Sequence, residues 1–313
     1  RAWDKEMASK FMQQKRGHAS FDMSEPSFLI GAMNRHKDWC VVICLVGGGQ
    51  EINTGEAGLT EWIKVMRDQH PDWEVHVSSR LNDRDYIWDE EMAKSLESTS
   101  ASWDESLHLG VSIRSFRAEA LSEFIGYVVD NKPEKARSTY QAISNKYPIL
   151  LTRNLDEARS WLRSKARGSE RYGLTASSGA TRLRTDGIWI KAKIDAPVWF
   201  LNDKADVRSS YYLEETASEF DIQGLELDWT CVCWDGDFRY ANSQWNFFNF
   251  RGTKWQRVSA AERQLHLKNA YRVLLTRARQ GLAIYVPEGD SVDPTRSPAI
   301  YDEIYEYLST CLG

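Results

Sequence analysis

Four short segments of this 313-residue chain hold residue types that could do chemistry. The first is Gly47-Gly48-Gly49-Gln50. A glutamine at the carboxyl end of a parallel strand can hydrogen-bond a nucleotide phosphate or an attacking water. Any glycine turn followed by glutamine would match, so the segment alone is unspecific. The second is Ser112-Ile113-Arg114-Ser115-Phe116-Arg117, where Arg114 could reach a phosphate. A plain surface arginine is the simpler reading. The third, Ser218 to Glu226, combines a hydroxyl, an amide (Gln223), a glycine permitting close backbone approach (Gly224) and a carboxylate (Glu226). Such a set could contact a sugar-phosphate backbone and a ribose. The fourth, Tyr271 to Arg279, sets Arg277 and Arg279 close together at an expected helix end, which suits an arginine finger.

The elements that must position these residues alternate between short apolar runs and amphipathic helices. Trp39–Val46, bounded by the three glycines, predicts a buried strand ending in a tight turn. Leu59, Trp62, Ile63 and Met66 follow at helical spacing, and Trp73–Val77 predicts another strand. Asn82 to Ser106 carries eight acids against two bases with no sustained period, and is expected to be a solvated connection between domains. Beyond it, strands are expected at Leu109–Ile113, Tyr147–Thr152, Tyr172–Ser177, Trp229–Trp234 and Leu282–Val286. Helices are expected around Leu121–Val128, Leu155–Leu162 and Ala260–Thr276, with Ser259 and Glu262 forming a capping box ahead of the last. This alternation argues for parallel α/β sheets.

Two stretches stand out by composition. Arg251 to Gln280 holds eight Lys/Arg and one acid, which reads either as a solvated basic helix or as a surface facing phosphates. Phe238 to Arg257 interleaves seven Phe, Tyr and Trp residues with Arg239, Arg251, Lys254 and Arg257. It reads either as a hairpin whose aromatics pack on the domain or as a base-stacking platform offering Trp245 and Lys254.

Composition bounds the class. The net charge of −5 excludes a uniformly basic nucleic-acid binder but not a local basic groove. The apolar run Val41–Val46 is far shorter than the ~20 residues of a membrane-spanning helix. Five cysteines without a Cys-x-x-Cys pair, and six scattered histidines, give no zinc spacing and no metal ligands. The expectation is reduced thiols in a cytoplasmic protein with no membrane partner.

The order Gly-x-x-Gln, Ser-x-x-x-x-Gln-Gly-Leu-Glu and Leu-Thr-Arg-Ala-Arg resembles motifs III, V and VI of superfamily 1 helicases. More closely, Leu45–Trp62, Glu219–Asp228 and Tyr271–Arg279 resemble the Schlafen group 3 type of DNA/RNA helicase domain, and the similarity runs from Arg1 to about Pro287. The resemblance implies an α/β fold of the RecA-like P-loop NTPase kind. Residues 1–81 would be the distal part of a first RecA-like domain, 82–106 the acidic connection, 107–287 a second RecA-like domain and 288–313 a C-terminal segment. It implies that Gln50, Arg114 and Arg277 are catalytic. ATP would be held by Gln50, Arg114, Gly224, Glu226, Arg277 and Arg279, and nucleic acid would lie near Ser218 and Gln223. Ser177–Arg182 also resembles a family segment, in which Arg182 is a further candidate for phosphate.

A P-loop needs Gly-Lys, and no such dipeptide occurs. Trp88-Asp89-Glu90 looks like a Walker B end but follows motif III, and reads as the start of a helix. In the resembled family Arg-Ala-Trp follows Walker B, so Arg1-Ala2-Trp3 predicts a chain starting just past it, with the P-loop and Walker B upstream. The expected activity is that of the C-terminal part of an ATP-dependent DNA or RNA helicase or translocase, using ATP and Mg²⁺ only with the upstream half. The expected partner is DNA or RNA, single-stranded, and the chain alone would be inactive. The other reading is a nucleic-acid-binding, NTP-controlled switch module that does not separate strands.

Overall fold

The computed structural model describes residues 2–17, 20–45, 58–82, 94, 101–108 and 116–313. The chain divides into two compact units, Arg1–Val111 and Ser112–Gly313.

In the first unit, helix α1 (Lys5–Arg16) starts at Asp4, whose carboxylate accepts from the Met7 N–H at 2.8 Å. Helix α2 (Glu25–Met33) follows Ser24 and carries Pro26 in its first turn, where the missing N–H is not needed. Helix α3 (Gly58–Gln69) is tied to α2 by the Ser27 hydroxyl donating to the Gln69 carbonyl at 2.7 Å. Strands β1 (Val75–Ser78) and β2 (Ala101–Asp104) pair in parallel. The stretch 82–106, expected to be a solvated connection, therefore contains a strand among its described residues.

The expected strand Trp39–Val46 is not one over its described residues. Residues 39–45 have no regular structure, and no described strand pairs with them. Trp39, Val41, Ile43 and Leu45 are 79%, 66%, 82% and 81% exposed. An apolar run becomes a buried strand only where neighbouring strands take up its backbone groups. The described residues supply none here.

The second unit is built on a five-stranded sheet of β3 (Ile149–Thr152), β4 (Tyr172–Ala176), β5 (Thr216–Ala217), β6 (Leu227–Cys233) and β10 (Ala278–Tyr285). All pairs are parallel, in the order β3-β10-β6-β4-β5. Alternation along the strands feeds two cores. Val232, Leu282 and Ile284 face one, with α4 (Phe116–Val129), α5 (Pro133–Ile143), α9 (Ala261–Leu275) and α10 (Pro298–Leu312). Cys231, Cys233, Ala283 and Tyr285 face the other, with α6 (Leu155–Lys165). A sheet covered on both faces explains why its strands read as unbroken apolar runs.

A second, antiparallel sheet of β7 (Phe238–Ala241), β8 (Gln244–Arg251) and β9 (Lys254–Arg257) follows β6. Asn242 and Ser243 both have positive φ in the two-residue β7–β8 turn, as a type I′ hairpin demands. Helix α9 starts one residue later than expected, with Ala260 as its N-cap and no side-chain cap. The Gln264 amide instead reaches back to the Val258 carbonyl at 2.7 Å.

Candidate functional site

Gln50, Arg114 and the segments around them, Gly47–Gly49 and Ser112–Ser115, lie outside the described residues. The remaining candidates belong to the second unit. Register sets the frame. Thr216 in β5 is level with Leu174, and Leu174 with Cys231. Leu227, at the start of β6, is level with Ala278. The segment Ser218–Glu226 thus runs from the carboxyl end of the sheet back to its amino end.

Its carboxyl-end residue, Ser218, is buried, and both its N–H (2.8 Å) and its hydroxyl (2.6 Å) donate to the Asp221 carboxylate. That bond locks the short helix α8 (Glu219–Ile222). Gln223 and Glu226 are half-buried. Gly224 lies between them at φ +88°, with open space where a side chain would sit. Its role is to permit the left-handed turn rather than a close approach.

At the amino end, the Leu227 N–H donates to the Arg277 carbonyl at 3.0 Å. One backbone bond thereby joins the Gln-Gly-Leu-Glu turn to the Thr-Arg-Ala turn, although fifty positions separate them. Arg277 is 2% exposed, and its Nε donates to the Val273 carbonyl at 3.2 Å, which folds it back on the end of α9. Arg279 is not its neighbour on a helix end. The Thr276 hydroxyl bonds the Arg272 carbonyl at 2.8 Å and the helix stops there. Arg279 stands in β10, exposed, and pairs with Asp228 at 3.2 Å.

The aromatic stretch packs as a hairpin. Among its described rings none is among the exposed large side chains. The Trp245 ring stacks on Phe238 at 4.2 Å, and its N–H donates to the Val128 carbonyl at 3.0 Å. Arg239 lies over Phe248 (4.0 Å) and Trp255 (4.5 Å). Lys254 is exposed at the β8–β9 turn. Arg182 is also engaged, with Asp293 at 2.5 Å and over the Phe250 ring at 4.9 Å.

Sequence reasoning missed a buried network at the carboxyl ends of β4 and β6. Asp235 and Asp237 are essentially unexposed. The Asp235 carboxylate accepts from the N–H groups of Gly236 (2.7 Å) and Arg182 (2.9 Å) and from the Tyr301 hydroxyl (3.0 Å). The Asp237 carboxylate accepts from the hydroxyls of Ser177 and Tyr271, both at 2.6 Å. Beside them, buried Glu219 accepts from the N–H and hydroxyl of Ser178, both at 2.7 Å. Gly179 lies so close that a Cβ there would sit 2.7 Å from an Asp237 oxygen. Burial, and then the charge of Asp237, pushes Asp235 up to about 7, while its donors pull the other way. Burial likewise raises Asp237 and Glu219. The signal available beforehand was Asp-Gly-Asp directly after a strand of unbroken apolar residues.

Among the described residues no group of three or more His, Cys, Asp or Glu could hold a metal ion, and no helix is long and apolar enough to cross a membrane. No curated protein matches the chain. Residues 1–288 match the family described as Schlafen group 3, DNA/RNA helicase domain. The matched residues include Gly47–Gln50, Gln223–Glu226 and Arg277, and they make up most of the chain, so the chain belongs to the Schlafen group 3 DNA/RNA helicase domain family.

Proposed function

We propose that the chain works in an ATP-dependent DNA or RNA helicase or translocase of superfamily 1, contributing motifs III to VI on a RecA-like framework. The observation that carries the reading is the Leu227–Arg277 backbone bond, which supports a single nucleotide-facing turn made of Gly224, Glu226 and Arg277. Gln50 and Arg114, which lie outside the described residues, are the other catalytic candidates of this reading. In this reading the segment Ser218–Gln223 lies near the single strand, with the buried Ser218 fixing its start through Asp221.

The chemistry asked of the chain is electrostatic. Charge builds on the transferring phosphoryl group, and a guanidinium placed against it lowers the barrier. In this reading that guanidinium is Arg277, whose Nε is held by the Val273 carbonyl. Among the described residues no group of three or more His, Cys, Asp or Glu could hold a magnesium ion, and the sequence has no Gly-Lys dipeptide. In this reading the phosphate cradle and the metal ligands come from other residues of the working protein.

The test is nucleic-acid-stimulated ATP turnover in the protein carrying this chain together with a Gly-Lys phosphate loop. Arg277→Ala should lower turnover by roughly 10³-fold, with the fold checked by circular dichroism. Unchanged turnover overturns the assignment. Strand displacement measured beside ATP turnover separates a true helicase from a switch that hydrolyses without unwinding.

A further inference from the structure

The segment between β4 and α7 (Ala196–Leu201) carries an exposed aromatic and basic surface that none of the motifs accounts for. Along it burial alternates. Ile188 and Ile190 point inward, while Trp189, Lys191 and Lys193 are exposed. The Arg184 guanidinium lies over the Trp189 ring at 4.2 Å. It backs one face of the indole, and the residue is still 39% exposed. Among the described residues no carboxylate pairs with Arg184, Lys191 or Lys193. Of the two acids within this segment, Asp186 is taken by Arg296 at 2.7 Å, and Asp195 caps α7 by accepting from the Val198 N–H at 3.3 Å.

Hydrogen bonds fix where this surface lies. The Lys191 ammonium donates to the Ser178 carbonyl at 2.6 Å, and Ser178 is held by Glu219. Glu219 is the immediate neighbour of Ser218 and of Phe220, whose ring is 42% exposed. Trp189 therefore sits two residues from a lysine bonded to the loop at the carboxyl end of β4, next to the start of the Ser218–Glu226 segment. An indole with one face backed by a guanidinium and lysines alongside is the arrangement that stacks bases and follows phosphates in single strands.

We propose that Trp189, backed by Arg184 and flanked by Lys191 and Lys193, is a base-stacking contact for single-stranded nucleic acid. The proposal rests on the nucleic-acid reading above and names a more exposed aromatic surface than Phe238–Arg257, whose rings are buried or half-buried. Stacking does not distinguish the sugar, so the contact takes DNA and RNA alike.

The experiment is fluorescence anisotropy with the full chain and labelled oligothymidylate and oligouridylate of about 16 nucleotides, over a range of salt. Trp189→Ala should weaken both by about tenfold or more, and Trp189→Phe should restore most of the affinity. Lys193→Glu, at an exposed position, should weaken both and flatten the salt dependence by about 0.7 in logarithmic slope or more. Gln223→Ala serves as the control for the parent reading. If Gln223→Ala weakens binding while Trp189→Ala and Lys193→Glu leave it unchanged, this surface is not the contact and the nucleic-acid reading survives. If the unaltered chain binds neither oligonucleotide, both readings fall. Should Trp189→Ala melt early, Trp189→Phe and Lys193→Glu decide the matter alone.

Discussion

Tyr271 accepts a hydrogen bond from the Asp235 N–H at 3.3 Å and donates its own proton to Asp237 at 2.6 Å, so one hydroxyl serves two buried groups. Tyr271→Phe keeps the ring and deletes both bonds. The cost should be about 1–3 kcal/mol in a urea titration, since a buried acceptor loses its donor. Asp235 makes a second prediction, on pH. Its carboxyl titrates near 7 in the folded protein against an ordinary 3.8. Between those values the folded state holds a proton that the unfolded chain has lost, so stability falls as pH rises. The contribution is complete below the ordinary value and gone once pH has passed the folded one. Denaturation midpoints measured from pH 5 to pH 8 should decline across that interval, and Asp235→Asn should flatten the decline. A midpoint that rises with pH would contradict the buried, proton-holding state of this carboxyl.

Element by element, the segment after β5 depends on one carboxylate. Asp221 accepts from both the N–H and the hydroxyl of Ser218 and so starts helix α8. Asp221→Ala should cost about 1 kcal/mol, a fall of roughly 2–4 °C in melting temperature for a unit of this size. If melting is unchanged, the bond does not hold the segment. Several strands and helices of the second unit were legible beforehand because their apolar spacing is local: Tyr172–Ala176 and Leu155–Lys165 lie within a residue or a turn of expectation, whereas the helices Pro133–Ile143 and Pro298–Leu312 were not read. What depended on distant partners was not. Residues 39–45 read as buried because an apolar run carries no record of whether strands flank it. The sheet order could not be read from any window of sequence. Arg277 and Arg279 looked like a pair because two-residue spacing does not say where a helix stops. Thr276 stops it, and the two arginines part. The carboxylate network was not legible, because Asp-Gly-Asp alone is turn chemistry and only the tertiary fold brings Tyr271 and Tyr301 to it. Of the motif residues, the Gln223–Glu226 turn and Arg277 were legible as types, while the bond joining them was not.

For the whole molecule, the matched family ends at residue 288, but the core of the second unit does not. Helix α10 buries Tyr301, Ile304, Tyr307, Leu308 and Cys311, and Tyr301 also supplies a donor to Asp235. At about 1.5–3 kcal/mol for each large buried side chain, that helix contributes as much as a typical domain's entire net stability. A chain cut after residue 288 should therefore lose cooperative unfolding by circular dichroism, whereas a cut within the last residue or two should not. In the first unit, Trp39-Cys40-Val41-Val42-Ile43-Cys44-Leu45 is seven residues without a charge or a proline, rich in branched side chains and largely open to water. That is the composition from which stacked, in-register fibrils grow. Concentrated solutions of the chain should raise thioflavin fluorescence with a lag that shortens on seeding. Ile43→Lys, a single charge in the middle of the heptapeptide, should abolish the rise without touching the second unit.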